Sequence, residues 1–257
     1  RRALVYAIDR ERLTEALFEG RQPPALHFEA PASPWYTDDP EKIVVYEHSR
    51  RTAAELLDEA GWTLGEDGLR YDQQGNPLRL TLSTTAGNKM REIVQVYLQD
   101  QWRAIGVDTR IQNGPARIFF GQTIRRRLFD GAAMYAWIQS PELSPRPTVH
   151  STQIPSEANA WSGQNNPGWA SPRVDWLVEA LEAEFDAGKR LALIHEILWH
   201  YTSEVPVIPL YYRSENSVTP ANLTGYRVTA HQVYATNHVE RWNLEQVPAE
   251  RVGKTGP

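Results

Sequence analysis

The middle of the sequence alternates strand-like and helix-like segments, and this alternation constrains the fold more than any other feature. Over 78–84, leucines alternate with polar residues as in a half-buried strand, and a long amphipathic helix is predicted over 88–105. A short strand is predicted at 107–112, a second helix at 116–127 and a third strand at 129–137. Helices that join successive strands through short links imply parallel strands with right-handed crossovers. The sequence therefore predicts an α/β fold, with a mixed, mainly parallel sheet flanked by helices.

Weaker patterns flank this central unit. Before it, we expect a helix over 2–20, a proline-rich extended loop over 21–41, a helix over 49–61 and tight turns over 65–77. After it, 138–172 has no period and is rich in Pro, Ser, Asn, Gln and Gly. Two helices are predicted over 172–185 and 187–203, an apolar strand over 205–212, and strand-like pieces at 226–228 and 232–234. A long irregular stretch within a compact domain is usually functional, so 138–172 is a candidate site region.

The composition excludes several classes of function. The chain has 27 Lys and Arg against 32 Asp and Glu, a net charge of −5, and lacks the basic clusters that neutralise nucleic-acid phosphates. Its zero cysteines exclude disulfides, thiolate nucleophiles and zinc–thiolate sites, without choosing a compartment. The sequence has no apolar run long enough to span a membrane. Because it opens on Arg1 inside an amphipathic pattern, we interpret it as a fragment or a processed chain.

Two short motifs resemble enzyme sites but depart from them. A zincin helix places its two histidines four residues apart, whereas His195 and His200 are five apart and face different directions. Ser162 lacks the glycines and the preceding strand of a nucleophile elbow. An α/β hydrolase or transferase stays the alternative, and it requires His150, Ser162 and an acid such as Glu157 to meet in a closed pocket. No cofactor and no metal site is predicted.

Aromatic and amide side chains mark a candidate binding surface instead. Tyr135 and Trp137 end the third predicted strand, and ligands of open α/β sheets lie outside the carboxyl ends of the strands. Indole faces and neutral amides suit an uncharged or weakly charged organic ligand, through stacking and hydrogen bonds. The predicted ligand-binding residues are Tyr135, Trp137, Gln139, Ser140, Trp161, Ser162, Gln164 and Asn165. The alternative is that the tryptophans staple the loop to the domain, which the pattern favours for Trp169 and leaves open for Trp137.

Five stretches, in this order, resemble extracytoplasmic solute-binding proteins of peptide ABC transporters, the oligopeptide, dipeptide and nickel-binding family. They are RRALVYAIDRERL at 1–13, AAELLDEAGW at 53–62, LQDQWRAIGV at 98–107, FDGAAMYAW at 129–137 and VPVIPLYY at 205–212. Each stretch alone is a weak signal. Together they extend over most of residues 1–212 and are specific.

This resemblance implies an architecture and a function. In the family, two α/β lobes close over the ligand like jaws, and the C-terminal segment returns to the first lobe. Residues 1–212 are then the second lobe, of periplasmic-binding-protein type II, with 213–257 returning toward a missing N-terminal lobe. The implied function is non-enzymatic: a periplasmic or extracytoplasmic, envelope-associated component of an ABC importer that binds a peptide or another small organic solute and delivers it to permease subunits. A ligand sensor with the same fold is a further alternative.

The resemblance breaks at one place that bears on the ligand. Peptide-binding members of the family commonly carry an Asp shortly after the strand tryptophan, which pairs with the α-ammonium group of the peptide. Here 138–141 reads Ile-Gln-Ser-Pro, and no acid follows until Glu142. Burying an ammonium group without a carboxylate is unfavourable. Either Glu142 substitutes for the Asp, or the ligand is a sugar, an opine or a capped peptide.

Overall fold

The computed structural model describes residues 1–138, 143–214, 216–228 and 235–245. The helices within these ranges are α1 (Arg2–Tyr6), α2 (Arg10–Phe18), α3 (Arg50–Glu59), α4 (Lys89–Arg103), α5 (Ala116–Ile118), α6 (Arg146–Val149), α7 (Pro172–Ala183) and α8 (Ala187–Glu204). The strands are β1 (Thr63–Leu64), β2 (Arg70–Tyr71), β3 (Arg79–Ser83), β4 (Asp108–Ile111), β5 (Gly131–Ala133), β6 (Leu223–Thr224) and β7 (Asn243–Leu244). Across these ranges, no helix combines the length and the apolar character that crossing a bilayer requires.

Strands β3, β4 and β5 form the parallel sheet that the sequence predicts. β3 lies in the centre, and its Leu82 pairs with Ile111 of β4 on one side and with Ala132 of β5 on the other. Parallel strands need long crossovers, which α4 supplies between β3 and β4. Because the three strands run in the same direction, their carboxyl ends meet at one edge of the sheet.

Local signals explain where α4 begins and ends. The Asn88 side chain caps the helix by accepting a hydrogen bond from the Arg91 N–H at 3.1 Å. Just beyond the helix, Gly106 adopts a φ of +88°, which a residue without a Cβ tolerates at little cost. The buried face of the helix packs into the first of two hydrophobic cores through Val94, Leu98 and Trp102.

A second hydrophobic core lies around the antiparallel pair α7 and α8. It contains apolar residues of both helices together with Trp35, Val149 and Trp169. Trp169 is buried there, and its indole Nε1 donates a hydrogen bond to Glu204 Oε2 at 2.7 Å. The prediction of a structural role for Trp169 is therefore confirmed.

Two predicted helices differ in detail from the structure. The helix predicted over 2–20 is interrupted, because Asp9 turns the chain and caps α2 by accepting a hydrogen bond from the Arg12 N–H at 2.9 Å. The helix predicted over 116–127 begins as α5 and continues as the π-helix Phe119–Ile124. Such wide turns are rare and often lie near functional sites.

Residues 205–212 do not form the predicted strand, because Val205 has a left-handed φ of +49° and the chain bends at 206–207. A single bridge joins Tyr211 to Pro24 in the opposite direction. Pro206 and Pro209 lack the N–H group that a ladder needs, so the apolar run cannot continue into regular pairing. The predicted piece at 226–228 is also not a strand, because β6 pairs with β7 instead. The piece at 232–234 lies outside the described residues.

Candidate functional site

Hydrogen bonds hold the three strand ends together at the carboxyl edge of the sheet. Thr84, just after β3, donates from Oγ1 to the Met134 carbonyl at 2.7 Å and from its N–H to Asn113 Oδ1 at 3.1 Å. Asn113 follows β4 and Met134 follows β5, so one buried threonine ties the ends of three strands. Asn113 also forms a reciprocal amide pair with Gln95 of α4, with both N···O distances at 2.9 Å. The edge is therefore a fixed platform for the residues that follow it.

An aromatic cluster, formed by Phe119, Phe120, Tyr135 and Trp137, extends from this platform to the surface. The Tyr135 ring lies 6.3 Å from the Phe119 ring, 6.0 Å from the Phe120 ring and 6.3 Å from the Trp137 ring, each in an edge-to-face arrangement. Phe119 is buried, whereas Phe120 and Trp137 are 44 % and 46 % exposed. Large aromatic faces are thus open to solvent beside the strand ends, where a ligand can stack on them.

Tyr135 connects the aromatic cluster to the long loop that follows it. Its hydroxyl accepts a hydrogen bond from Asn166 Nδ2 at 2.9 Å. Burial raises the pKa of Tyr135, so the phenol stays protonated at neutral pH. The Asn166 carbonyl in turn accepts a hydrogen bond from Arg127 Nε at 2.9 Å. Contacts therefore run without a break from the sheet edge, through the loop, to the segment that precedes β5.

The loop over 143–171 is anchored on one side of α7. Arg146 forms a bidentate ion pair with Glu182, in which Nη2 lies 2.7 Å from Oε2 and Nε lies 2.9 Å from Oε1. His150 is buried, and its Nε2 lies 3.4 Å from Glu179 Oε1. These contacts fix the first part of the loop against α7.

Asn165 holds the loop from the inside. Its side chain is fully buried and donates to the carbonyls of His150 at 3.1 Å and Trp169 at 2.7 Å. It also accepts a hydrogen bond from the Trp169 N–H at 3.0 Å. Because backbone groups use both ends of this amide, Asn165 positions the loop, and the proposed ligand surface does not include it.

Trp161 lies in a strained turn of the same loop. Ala160 and Trp161 have φ values of +54° and +60°, in the left-handed region that bulky residues avoid. The Arg126 guanidinium carbon lies 5.9 Å from the centre of the Trp161 indole, and Arg125 Nε donates to the Trp161 carbonyl at 3.4 Å. The Arg125–Arg127 run therefore contacts the loop.

The other predicted ligand residues fall into two groups. Ser162 and Gln164 are exposed, next in the chain to the half-buried Trp161. Gln139 and Ser140 lie outside the described residues, as does Glu142. The structure thus brings Tyr135 and Trp137 together in one cluster and ties that cluster to the loop of Trp161.

The predicted enzyme sets do not assemble among the described residues. The polar partners of His150 are Thr152, Asp175 and Glu179, not the set with Ser162 and Glu157. His200 pairs with Glu204 at 3.5 Å, one turn along its own helix. In the described part of the chain, no group of three or more His, Asp or Glu side chains could hold a metal ion.

Sequence reasoning missed two contributors to the edge. Phe120 is part of the exposed aromatic surface, and its only signal is the Phe119-Phe120 doublet, which an amphipathic helix also explains. The pair between Gln95 and Asn113 joins residues on different elements and has no local signature. Both depend on how the crossovers fold back onto the sheet.

A parallel α/β unit with an open aromatic edge and a long, tied-down loop has the features of one lobe of a solute-binding protein. The chain belongs to a defined family of this class, because the model of the middle region of "Bacterial extracellular solute-binding proteins, family 5" matches residues 1–155. The predicted family and fold class are therefore confirmed.

Curated relatives and solved structures support the same assignment. The chain is 27 % identical to oligopeptide-binding protein AppA of Bacillus subtilis over 245 residues, which are 95 % of this chain and 43 % of the relative. It is 27 % identical to the nickel-binding periplasmic protein of Escherichia coli, over 87 % of this chain and 41 % of the relative. The oligopeptide-binding protein from Thermus thermophilus, solved with a pentapeptide, matches with a TM-score of 0.81 at 29 % identity, over 88 % of this chain and 39 % of that one.

AppA of Bacillus subtilis, solved with a nonapeptide, matches with a TM-score of 0.80 at 27 % identity, over 95 % of this chain and 47 % of that one. These relatives carry names of binding proteins, not of enzymes. The chain spans less than half the length of each of them.

Proposed function

We propose that this chain is one lobe of a two-lobe protein that captures a peptide or another small organic solute for an ABC importer. Residues 1–212 form the lobe, and 213–257 lead toward the facing lobe. The ligand is enclosed when the lobes close about a hinge. The protein acts outside the cytoplasm, where it delivers the solute to permease subunits. Family membership and the peptide ligands of two structural relatives support this proposal.

The exposure of Trp137 is the observation that carries the proposal. A large indole, 46 % exposed, lies four residues beyond Ala133, the last residue of β5. Covering such a face with an apolar part of a solute contributes about 2 kcal/mol to binding. The Tyr135 ring, held by Asn166, packs edge-to-face with the Trp137 ring at 6.3 Å. Because the aromatic cluster is preformed, ligand binding does not require a further loss of side-chain conformational entropy.

Polar side chains of the loop that carries Trp161 are proposed to orient the ligand. Ser162 and Gln164 are exposed next to Trp161, and their hydroxyl and amide groups are free to face a ligand. Gln139 and Ser140, which directly follow the Trp137-Ile138 pair in the chain, are proposed for the same role. Neutral donors and acceptors of this type select a solute by its hydrogen-bonding pattern.

Native mass spectrometry tests the proposal on the protein expressed from its complete reading frame and purified without denaturation. We expect it to carry a small organic solute, which calorimetry then measures against wild-type protein and the Trp137→Ala variant. The variant is expected to bind at least about tenfold more weakly. Trp176→Ala is the matched control, since Trp176 is 52 % exposed on α7, and it is expected to bind as wild type does. An unchanged affinity of Trp137→Ala for the solute would refute the role of the aromatic cluster in binding.

A second measurement tests the two-lobe part of the proposal. Residues 1–257 alone offer one wall of the site, so most of the ligand surface stays in water. We expect the isolated chain to bind the same solute weakly or not at all. Sub-micromolar affinity of the isolated chain would contradict the need for a facing lobe.

A further inference from the structure

His150 is buried near the start of the loop over 143–171 and lies outside the aromatic cluster. Its side chain is 4 % exposed and caps the short 3-10 turn Ser151–Gln153, where Nδ1 accepts a hydrogen bond from the Thr152 N–H at 3.2 Å. Because a backbone N–H only donates, Nδ1 carries no proton and the neutral ring holds its proton on Nε2. Among the described residues Nε2 has no hydrogen-bond partner, which is unfavourable for a buried donor.

Acidic side chains of α7 lie beside both nitrogens of the His150 ring. Asp175 Oδ1 is 3.7 Å from Nδ1, and Glu179 Oε1 is 3.4 Å from Nε2. Glu182, three residues further along α7, is paired with Arg146 of α6 at 2.7 Å. Two carboxylates and one ion pair therefore face His150 from the two helices next to it. A second proton on the ring would be held between the two carboxylates, which favour the charged form.

Hydrogen bonds connect the capped 3-10 turn to the turn that carries Trp161. The Gln153 carbonyl accepts from the Asn165 N–H at 3.0 Å, and the Asn165 side chain donates to the His150 carbonyl at 3.1 Å. The Trp161 N–H donates to the Ser156 carbonyl at 2.8 Å, three residues beyond Gln153. The position of Trp161 therefore depends on backbone segments that the His150 cap holds in place.

Protonation of the ring is incompatible with this cap. A ring with protons on both nitrogens has no acceptor, so the Thr152 N–H loses its hydrogen bond. The new proton on Nδ1 is attracted to Asp175, whose Oδ1 accepts from the Ser151 N–H at 2.8 Å. The charged ring thus removes one contact of the 3-10 turn and competes for another. Histidine is the side chain that ordinarily changes charge between pH 5 and 8.

We propose that His150 is a positioning residue that makes the conformation of the Trp161 turn depend on pH. With a neutral ring, the 3-10 turn is capped and Trp161 is held in the conformation described above. With a protonated ring, the cap is lost and the Trp161 turn is released. The inference rests on the proposed function, in which Trp161 contacts the solute, and adds a proton-dependent control of that part of the site.

Fluorine NMR tests the inference without any knowledge of the solute. The protein expressed from its complete reading frame is labelled with 5-fluorotryptophan, and the Trp161 signal is assigned with Trp161→Phe. The sample is titrated from about pH 8 to pH 5.5, where ordinary histidines change charge and ordinary carboxylates do not. We expect the Trp161 signal to shift in one sigmoidal step. Trp102, buried in the first hydrophobic core, reports global unfolding and is expected to stay in place.

NMR of ¹⁵N-labelled histidine provides a second measurement on the wild-type protein. We expect the His150 ring to carry its proton on Nε2 at pH 8, and its titration midpoint to equal that of the Trp161 signal. A Trp161 signal that does not respond to pH, or two different midpoints, would overturn the inference.

Matched variants then assign the effect to His150. His150→Asn keeps an acceptor for the Thr152 N–H, since asparagine is a favoured cap residue, but does not titrate. We expect it to remove most of the pH-dependent shift of Trp161. His48→Asn is the control, because His48 Nδ1 lies the same 3.7 Å from an aspartate, Asp9, and we expect the full shift. An undiminished shift in His150→Asn would show that another group controls Trp161.

The inference and the proposed function fail separately. If Trp161 titrates with His150 while Trp161→Ala binds the co-purified solute as wild type does, the role of His150 stands and Trp161 is not a ligand contact. If Trp137→Ala weakens solute binding while Trp161 does not respond to pH, the proposed function stands and the role of His150 is refuted.

Discussion

The Asn166 side chain donates a hydrogen bond to the Tyr135 hydroxyl at 2.9 Å and so joins the long loop to the end of β5. Asn166 is buried, so removal of the acceptor leaves an N–H group without a partner. Tyr135→Phe is expected to lower the free energy of unfolding by about 1–2 kcal/mol, measured by guanidinium titration. Tyr71→Phe is the matched control, because its hydroxyl bonds Asp67 at 2.7 Å on an exposed hairpin, and its loss is expected to be smaller. Equal losses would contradict a buried role for the Tyr135 bond.

Substitution of Gly163 tests the backbone conformation of the loop that carries Trp161. It has a φ of +99°, and an added Cβ would overlap the Gln153 carbonyl. Gly75 has a φ of +80° with open space around it, so Gly75→Ala isolates the conformational cost, about 1 kcal/mol. Gly163→Ala is expected to lose about 2 kcal/mol more, because the backbone must also shift. Similar thermal stability of the two variants would show that the loop packs differently.

Arg10 lies in the 1–13 stretch that resembles the family, and its contacts explain why an arginine occupies this position. The side chain is buried and donates to the carbonyls of Ala25 at 2.6 Å and Tyr46 at 2.7 Å, which ties α2 to two loops. Arg10→Met keeps the volume but leaves both carbonyls unpaired, with an expected loss of about 3 kcal/mol in chemical unfolding. The exposed Arg12 gives the matched variant Arg12→Met, which is expected to stay near wild type. A wild-type-like Arg10→Met would mean that these bonds are replaced by water.

The stability of the protein is expected to fall on mild acidification because of His27. Its Nε2 contacts the Thr37 carbonyl at 2.7 Å, and its Nδ1 accepts from the Glu29 N–H at 3.1 Å, so the neutral ring fits the site. Burial lowers the pKa of His27. The unfolded chain therefore takes up a proton below about pH 6.5 while the folded chain resists it, and stability is lost as the pH falls through that value.

Neighbouring groups set the window for this measurement. Burial also lowers the pKa of His195, which acts in the same direction. Burial raises the pKa of Glu29, and this shift opposes the loss of stability as the pH approaches 4.5. Between pH 7 and 6, His27→Gln is expected to flatten the dependence of unfolding free energy on pH, of which one group supplies at most about 1.4 kcal/mol per unit. His238→Gln, at a half-exposed position, is the matched variant. If the unfolding free energy of His27→Gln depends on pH as steeply as that of the wild type, the assignment to His27 is refuted.

Much of the sheet could be predicted because its signals are local. The alternation over 78–84 corresponds to β3, and Asn88 and Gly106 mark the ends of the α4 crossover. The 205–212 segment could not be assigned in the same way. An apolar run predicts a strand. Whether its N–H groups form hydrogen bonds with a neighbouring segment depends on Pro206, on Pro209 and on the segment that lies opposite.

The candidate site was predictable only where it follows directly from a strand end. The sequence predicts Tyr135 and Trp137 at the end of a strand over 129–137, whereas β5 ends at Ala133 and both residues follow it. The exposure of Trp137 depends on everything packed around it. Asn165 is a residue type common in ligand sites, but its side chain bonds the backbone of its own loop.

Fluorine NMR of the protein labelled with 5-fluorotryptophan tests the central claim most directly. The signals of the nine tryptophans in this sequence are assigned with single Trp→Phe variants of the protein expressed from its complete reading frame. The solute identified by native mass spectrometry is then added. We predict that the Trp137 and Trp161 signals shift saturably, while those of Trp176 and Trp199, which are 52 % and 45 % exposed on α7 and α8, stay in place. A saturable shift at Trp176 or Trp199 with Trp137 unmoved would place the binding surface elsewhere and contradict the account.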